Sequence, residues 1–300
     1  MFSPAKLLRL RSGAEKHAAH LHGLIAKAEK AAQDVMHGMH GQRRSGAGES
    51  FWQFRPYEPG DRPQDIDWRQ SAKGDHVFIR QRERQLAHTA YLWCSSSESM
   101  DFSSAPDNLP SKGERAQLIA LATAILMMRS GEYVQMAGQP RSGRGEPTLR
   151  RIAYDLVEGT SHSLPDIHEK LTRRCFPILI GDFLSPIEEI EPCLKSYAAM
   201  TGKGALVQIL DPAEISLPYE GRAIFEAPGQ KSDIPPISNI ADVREAYISR
   251  INAHMKLLES LCRSLGMVYI PHLTSQEPKT ALNRLYQALH FDEYGGRSRR

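Results

Sequence analysis

The sequence predicts an α/β protein with a mostly parallel sheet covered by helices on both faces. Two observations carry that expectation. From residue 88 onward, strand-length apolar runs alternate with amphipathic, helix-length stretches. The runs are also continuously apolar rather than alternating, as expected of strands buried on both faces of a parallel sheet.

Ahead of that alternation, residues 14–40 place Leu21, Leu24, Ile25, Ala28, Ala32 and Val35 at helical spacing, which predicts one amphipathic helix with a histidine-dotted polar side. A link rich in glycine and arginine, GMHGQRRSGAGES, follows. FWQFRPYEPGD reads as a strand broken by Pro56 and by a turn at Pro59-Gly60, and HVFIRQRERQ as a second strand, together a β-ribbon. Then come strand AYLWCS, helix ERAQLIALATAILMMRS, strand EYVQMAG, helix LRRIAYDLVEG, strand CFPILIGDF, helix PIEEIEPCLKSYAAM and strand GALVQILDP. A helix over 242–265, the strand MVYIPHL and a helix over 278–290 close the series. The Pro- and Gly-punctuated range 212–237 interrupts it and reads as a hairpin excursion. The expected organisation is a basic N-terminal helix and linker over 1–48, the ribbon over 49–86, the α/β domain over 87–292 and a basic tail over 293–300.

Composition sets wide limits. With 300 residues, 41% apolar and 24% charged, the chain can bury a sizeable core. A formal charge of +3 demands neither nucleic acid nor membrane as a partner. The surplus is local: Lys6, Arg9, Arg11, Lys16, Lys27, Lys30, Arg43 and Arg44 near the start, and Arg297, Arg299 and Arg300 at the end. Those ends lack stacking aromatics, so any nucleic-acid contact there is expected to be salt-sensitive and non-specific. Cys94, Cys175, Cys193 and Cys262 are scattered and form no CxxC pair, so they read as reduced core residues. Charges interrupt the N-terminal apolar runs, leaving no signal-peptide core. The run Leu118–Met128 falls short of the roughly 20 residues of a membrane helix. The expected location is the cytoplasm, with no transmembrane segment.

In open parallel sheets, ligands bind beyond the carboxyl ends of the strands where the strand order reverses. Ser95, Ser97 and Ser99 follow the first core strand, Asp182 follows ILIG, and Asp211 follows LVQIL. Such hydroxyls and carboxylates suit a hard divalent cation such as magnesium. Equally, Ser and Asp cap helices that start after strands, each cap contributing about 1 kcal/mol. Spacing alone leaves both readings open.

The run YEPGDRPQDIDWRQSAK at 57–73, followed by an apolar strand ending in SSSESM, resembles the signature of the bacterial domain-of-unknown-function 58 family, a branch of the von Willebrand factor A-like domains. The resemblance continues through GDFLSP, DPAEISLPYEGRAIFE and LGMVYIPHLTSQEPKTALNRLYQAL, from about residue 50 to 290. It implies a metal-ion-dependent adhesion site of pattern DxSxS, helped by a later threonine and aspartate and holding Mg2+ or Mn2+. Ser97 and Ser99 match the serines, Asp182 the later aspartate and Thr148 the threonine. Ser95 stands where the pattern has Asp, which removes a full charge from the cation's ligand set unless Glu98 or Asp101 turns inward. The implied site is therefore degenerate. The implied role is a non-enzymatic interaction module, an adaptor working with a MoxR-type AAA+ ATPase in the assembly or maturation of other proteins. The absence of a GxxxxGK[ST] motif agrees with a subunit that carries no ATP site.

Three further groupings of residues carry chemistry of their own. A hydrolase would use the Ser95–Ser99 turn, Asp182 and a histidine such as His272. Asp61, Asp65 and Asp67 lack an EF-hand pattern, so Trp68 is expected in the core with the aspartates paired to Arg62, Arg69 or Lys73. His17, His20, His22, His37 and His40 read as a solvated helix face rather than a metal site.

Overall fold

The computed structural model describes residues 4–40, 51–58, 61–74, 76–82, 88–159, 164–166, 171, 174–222, 224 and 237–295. In chain order the first elements are α1 (Pro4–His40), β1 (Phe51–Pro56), α2 (Trp68–Ser71), β2 (Phe78–Arg82), β3 (Thr89–Cys94), α3 (Lys112–Arg129), β4 (Tyr133–Met136) and α4 (Glu146–Glu158). They continue with β5 (Cys175–Gly181), α5 (Ile187–Thr201), β6 (Gly204–Leu210), α6 (Pro212–Ser216), α7 (Ala241–Ser264), β7 (Met267–Leu273) and α8 (Pro278–Gly295). Contacts divide the chain into a larger unit, residues 1–38 with 88–300, and a smaller one, residues 39–87.

In the larger unit β3 to β7 form a parallel sheet of order β4-β3-β5-β6-β7. Every residue of β5 and β6 is buried, because helices cover both faces. On one face Leu92, Ile178, Val207 and Ile270 pack with side chains of α1, α3, α4 and α8. On the other, Tyr91, Leu179 and Leu206 meet Leu194 and Tyr197 of α5 and Leu258 and Cys262 of α7. The expected α/β architecture is thus present, with five parallel strands flanked by helices. All four cysteines are buried and none forms a disulfide. No helix among the described residues is long and apolar enough to cross a membrane.

The order of connection positions the site. The chain leaves β3 for β4 at one edge, then returns past β3 to β5 on its other side. Between β3 and β5 the two crossovers diverge, which opens a crevice at the carboxyl ends of those strands. Helix α3 starts at that crevice, where Ser111 accepts a hydrogen bond from Glu114 N while the Glu114 side chain accepts one from Ser111 N. From Ile119 to Met127 every α3 residue is buried, as suits a helix covered on all sides.

Several elements differ from the sequence expectation. Helix α1 begins at Pro4 rather than near residue 14, and its Leu24, Ala28, Ala32 and Val35 belong to the same core as α3 and the sheet. The range expected as a hairpin begins with α6: Asp211 caps it, Pro212 opens it and Glu214 completes a capping box. Residues 225–236 of that range lie outside the described residues. Helix α8 runs to Gly295, into the expected tail.

In the smaller unit β1 and β2 pair antiparallel, as the ribbon expectation requires. Trp68 is 67% exposed and does not enter a core, since it opens the one-turn helix α2 on its solvent side. The aspartates also find other partners. Asp61 accepts two hydrogen bonds from Arg55 Nη2, at 2.7 and 2.8 Å, and Asp67 caps α2 through Gln70 N. The Asp65 side chain lies outside the description, as do those of His17 and His40; His20, His22 and His37 are exposed, as expected of a solvated face.

Docking of α1 makes a testable demand. Ala32 is fully buried and its neighbour Gln33 is exposed. Ala32→Glu places an unpaired charge in the core and should destabilise the fold by about 3 kcal/mol or more, whereas Gln33→Glu should be near neutral. Urea unfolding of both variants checks this; equal midpoints would show that α1 adds nothing to the core.

Candidate functional site

Strand β3 runs directly into the serine turn. Ser95 N donates to Ile180 O at 2.8 Å and so extends the β3–β5 ladder by one residue. Three hydroxyls then form a chain: Ser95 Oγ lies 3.1 Å from Ser97 Oγ, which lies 2.9 Å from Ser99 Oγ. Ser99 Oγ donates to Asp182 Oδ2 at 2.6 Å. Gly181 permits this approach, since a Cβ there would stand 3.1 Å from Ser95 Cβ.

Two residues not anticipated from the sequence complete the cluster. Lys112 Nζ donates to the same Asp182 Oδ2 at 3.0 Å and to Glu214 Oε1 at 2.6 Å. The lysine is 1% exposed. Its backbone N donates to Phe102 O, and its ammonium stands 6.0 Å from the Phe102 ring centroid. Glu214 uses Oε2 to accept from Asp211 N at 2.8 Å, while Asp211 accepts from Ala213 N and, across loops, from Ser104 N at 3.0 Å. Burial pushes the Glu214 carboxyl above its ordinary range, with Lys112 opposing that shift. Asp182 O accepts from Gln208 Nε2, whose Oε1 accepts from the Tyr269 hydroxyl.

Backbone strain collects at the same place. Phe183 (φ 47°) and Leu217 (φ 44°) are the non-glycine residues with left-handed backbone among those described. One directly follows Asp182 and the other is the C-cap of α6, the helix that carries Glu214. Such conformations persist where surrounding contacts over-determine them. Phe183 packs its ring against Trp93, and its carbonyl is bonded to His254 Nε2 at 2.7 Å.

Of the sequence-predicted site residues, Ser95, Ser97, Ser99 and Asp182 are brought together and Thr148 is not. Gly159, just after α4, lies against Ser96, where a Cβ would come within 3.2 Å of the serine Cβ. Thr148 sits in the first turn of α4, about 15 Å away along the helix axis. Its Oγ1 donates instead to Arg144 O. Glu98 and Asp101 are exposed and do not turn inward.

This donor set does not fit Mg2+ or Mn2+. Such an ion needs an octahedron of oxygens at roughly 2.0–2.1 Å with carboxylate charge among them. The serine turn offers one carboxylate, Asp182, whose Oδ2 is already shared by Ser99 and Lys112. Among the described residues, no group of three or more His, Cys, Asp or Glu side chains could hold a metal.

The hydrolase grouping does not form as a triad either. His272 lies on β7, three strand spacings or about 14 Å from β3. It is buried, and among the described residues neither ring nitrogen has a hydrogen-bond partner.

The family profile described as "Protein of unknown function DUF58" matches residues 53–256. The chain belongs to the DUF58 family. The matched range contains the serine turn, Lys112, Asp182 and Glu214. Among related proteins, uncharacterized proteins of Mycobacterium bovis and of two strains of Mycobacterium tuberculosis are each 27% identical over 242 residues, covering 74% of this chain and 74% of the relative. No solved structure matches the chain significantly.

Two signals for the missed residues were present in this DUF58 sequence. A lysine at the first position of a helix opposes the helix dipole, so Lys112 needs anionic partners to be stable there. The run Asp211-Pro-Ala-Glu214 is a capping-box pattern and marks a helix start.

Burial pushes the His272 imidazole down to about 4, with Arg115 adding to the effect. The unfolded chain therefore binds a proton near pH 6.5 that the folded chain refuses until about pH 4, so stability falls as pH drops through that window. The loss should approach about 3 kcal/mol. Denaturant unfolding at pH 7 and pH 4 should show this loss in the wild type and not in His272→Leu; parallel losses in both would contradict it.

Proposed function

We propose that the chain is a non-enzymatic protein-interaction module of the von Willebrand factor A-like type, working in the cytoplasm as an adaptor for a MoxR-type AAA+ ATPase that assembles or matures other proteins. The observation that carries the interaction reading is the carboxyl edge of the sheet at the β3–β5 switch point. Its polar centre is the serine turn with Asp182, and its loops expose apolar side chains at Phe102, Leu184 and Tyr219. Apolar groups exposed beside a polar crevice at a switch point are features of a binding surface. The ATPase as partner rests on the family resemblance, supported by the lack of an ATP-binding motif in this sequence. The adhesion site is degenerate in this reading: Ser95 replaces the carboxylate, and recognition proceeds by surface complementarity without an ion.

One observation favours the hydrolase reading, the 2.6 Å bond from Ser99 to Asp182. A nucleophile needs a base whose lone pair is free to take its proton. The oxygen that Ser99 contacts is also the acceptor of the Lys112 ammonium, and among the described residues no histidine is hydrogen-bonded to that carboxylate. The pair therefore serves better as a fixed strut than as a nucleophile and base.

The adaptor reading is tested by capturing the tagged chain from its native cells under ATP-bound conditions, beside a Leu184→Asp variant. An AAA+ ATPase should be recovered with the wild type, and recovery should fall about tenfold, ~1.4 kcal/mol, in the variant. Consistent failure to recover an ATPase would contradict the reading.

A further inference from the structure

We propose that Lys112 is the cation of this site: its ammonium supplies, by a tether within the chain, the positive charge that a divalent ion would bring to a complete DxSxS arrangement. The proposal rests on reading the serine turn as a degenerate adhesion site and deepens that reading.

The geometry points to substitution of one cation for another. Lys112 is buried to the ammonium, and that ammonium donates to two carboxylates carried by different loops, Asp182 after β5 and Glu214 in α6. A lysine in the first turn of a helix lies at the positive end of its dipole, so these carboxylates, not the helix, hold the charge in place. Asp182 Oδ2 is the carboxylate oxygen turned towards the serine turn. It already accepts from Lys112 at 3.0 Å and from Ser99 at 2.6 Å. An ion bonded to that oxygen at ~2.1 Å would stand no more than about 5 Å from the ammonium, inside a site where water screens little. The two cations therefore exclude one another.

The Ser95 hydroxyl and the Lys112 ammonium act in the same direction. Serine in place of aspartate removes negative charge from the ligand set, and the lysine balances the carboxylate that remains. Restoring the carboxylate alone should leave the ammonium in possession of Asp182. Removing the lysine alone should leave too few anionic ligands. Only the two changes together should open the site to a metal.

Mn2+ binding to the full-length chain, followed by electron paramagnetic resonance and calorimetry, tests this on wild type, Ser95→Asp, Lys112→Met and the double variant. Thermal melts establish that each is folded. Wild type and both single variants should show no site-specific binding, and the double variant should bind at least about a hundredfold more tightly than either single variant. Ser95→Asp binding as tightly as the double variant would overturn the role of Lys112 while leaving the site degenerate. Wild-type binding that Ser99→Ala abolishes would overturn both readings. A folded double variant that fails to bind would also overturn the proposal. If the double variant does not fold, the 15Nζ resonance of Lys112 in the wild type decides: unchanged by Mn2+ if the ammonium holds the site, selectively broadened if the ion enters beside it.

Discussion

The carboxyl edge of this protein is organised by one buried ammonium shared between two carboxylates. Lys112 stands at the start of α3, Asp182 at the end of β5 and Glu214 in α6, so one side chain joins segments that lie 70 and 102 residues away in the sequence. Desolvating three charged groups costs several kcal/mol per ion, and an apolar cluster of the same volume would often be as stable or more so. What the ion pair provides is position. The ammonium cannot be satisfied unless both loops return to it, which fixes where the serine turn ends and where α6 begins.

The sheet prepares the place for that ammonium. Crossovers diverge between β3 and β5, so the carboxyl ends of those strands face a crevice rather than the flank of a helix. Gly181 lets the end of β5 close against Ser95, and the left-handed Phe183 turns the chain immediately after Asp182. The Asp182 carbonyl is tied through Gln208 to Tyr269 of β7, and Asp211 is tied to Ser104. Hydrogen bonds thus connect the loops after β3, β5 and β6 around the lysine. A partner docking on Phe102, Leu184 and Tyr219 would meet a pre-set surface, with little ordering left to oppose binding.

The sheet was legible in the sequence because strands buried on both faces are nearly continuously apolar, as β5 is throughout and β6 is apart from Gln208. The serine turn and Asp182 were legible because a switch point places the residues after neighbouring strands together. Lys112 and Glu214 were harder to see. Their pairing is a long-range match of charges, and the local patterns around them, a helix start and a capping box, suggest capping and no more. Thr148 was misplaced for a related reason: a threonine near the right point in the chain says nothing of the direction in which α4 runs, and that direction carries it to the far end of the helix. Trp68 failed the rule that large aromatics are buried because its helix is a single turn with none of its residues buried. At residues 212–216, the prolines and glycines of the surrounding range outweighed the capping signal of Asp211 and Glu214, which the structure follows.

That Lys112 holds three loops in register is tested most directly by hydrogen–deuterium exchange on Lys112→Met beside wild type. The amides of residues 95–105, 182–186 and 211–222 should lose protection together while those of β5 and β6 keep theirs. Loss confined to the residues flanking position 112, or none at all, would show that the loops stand without the lysine and would contradict the role given to it here.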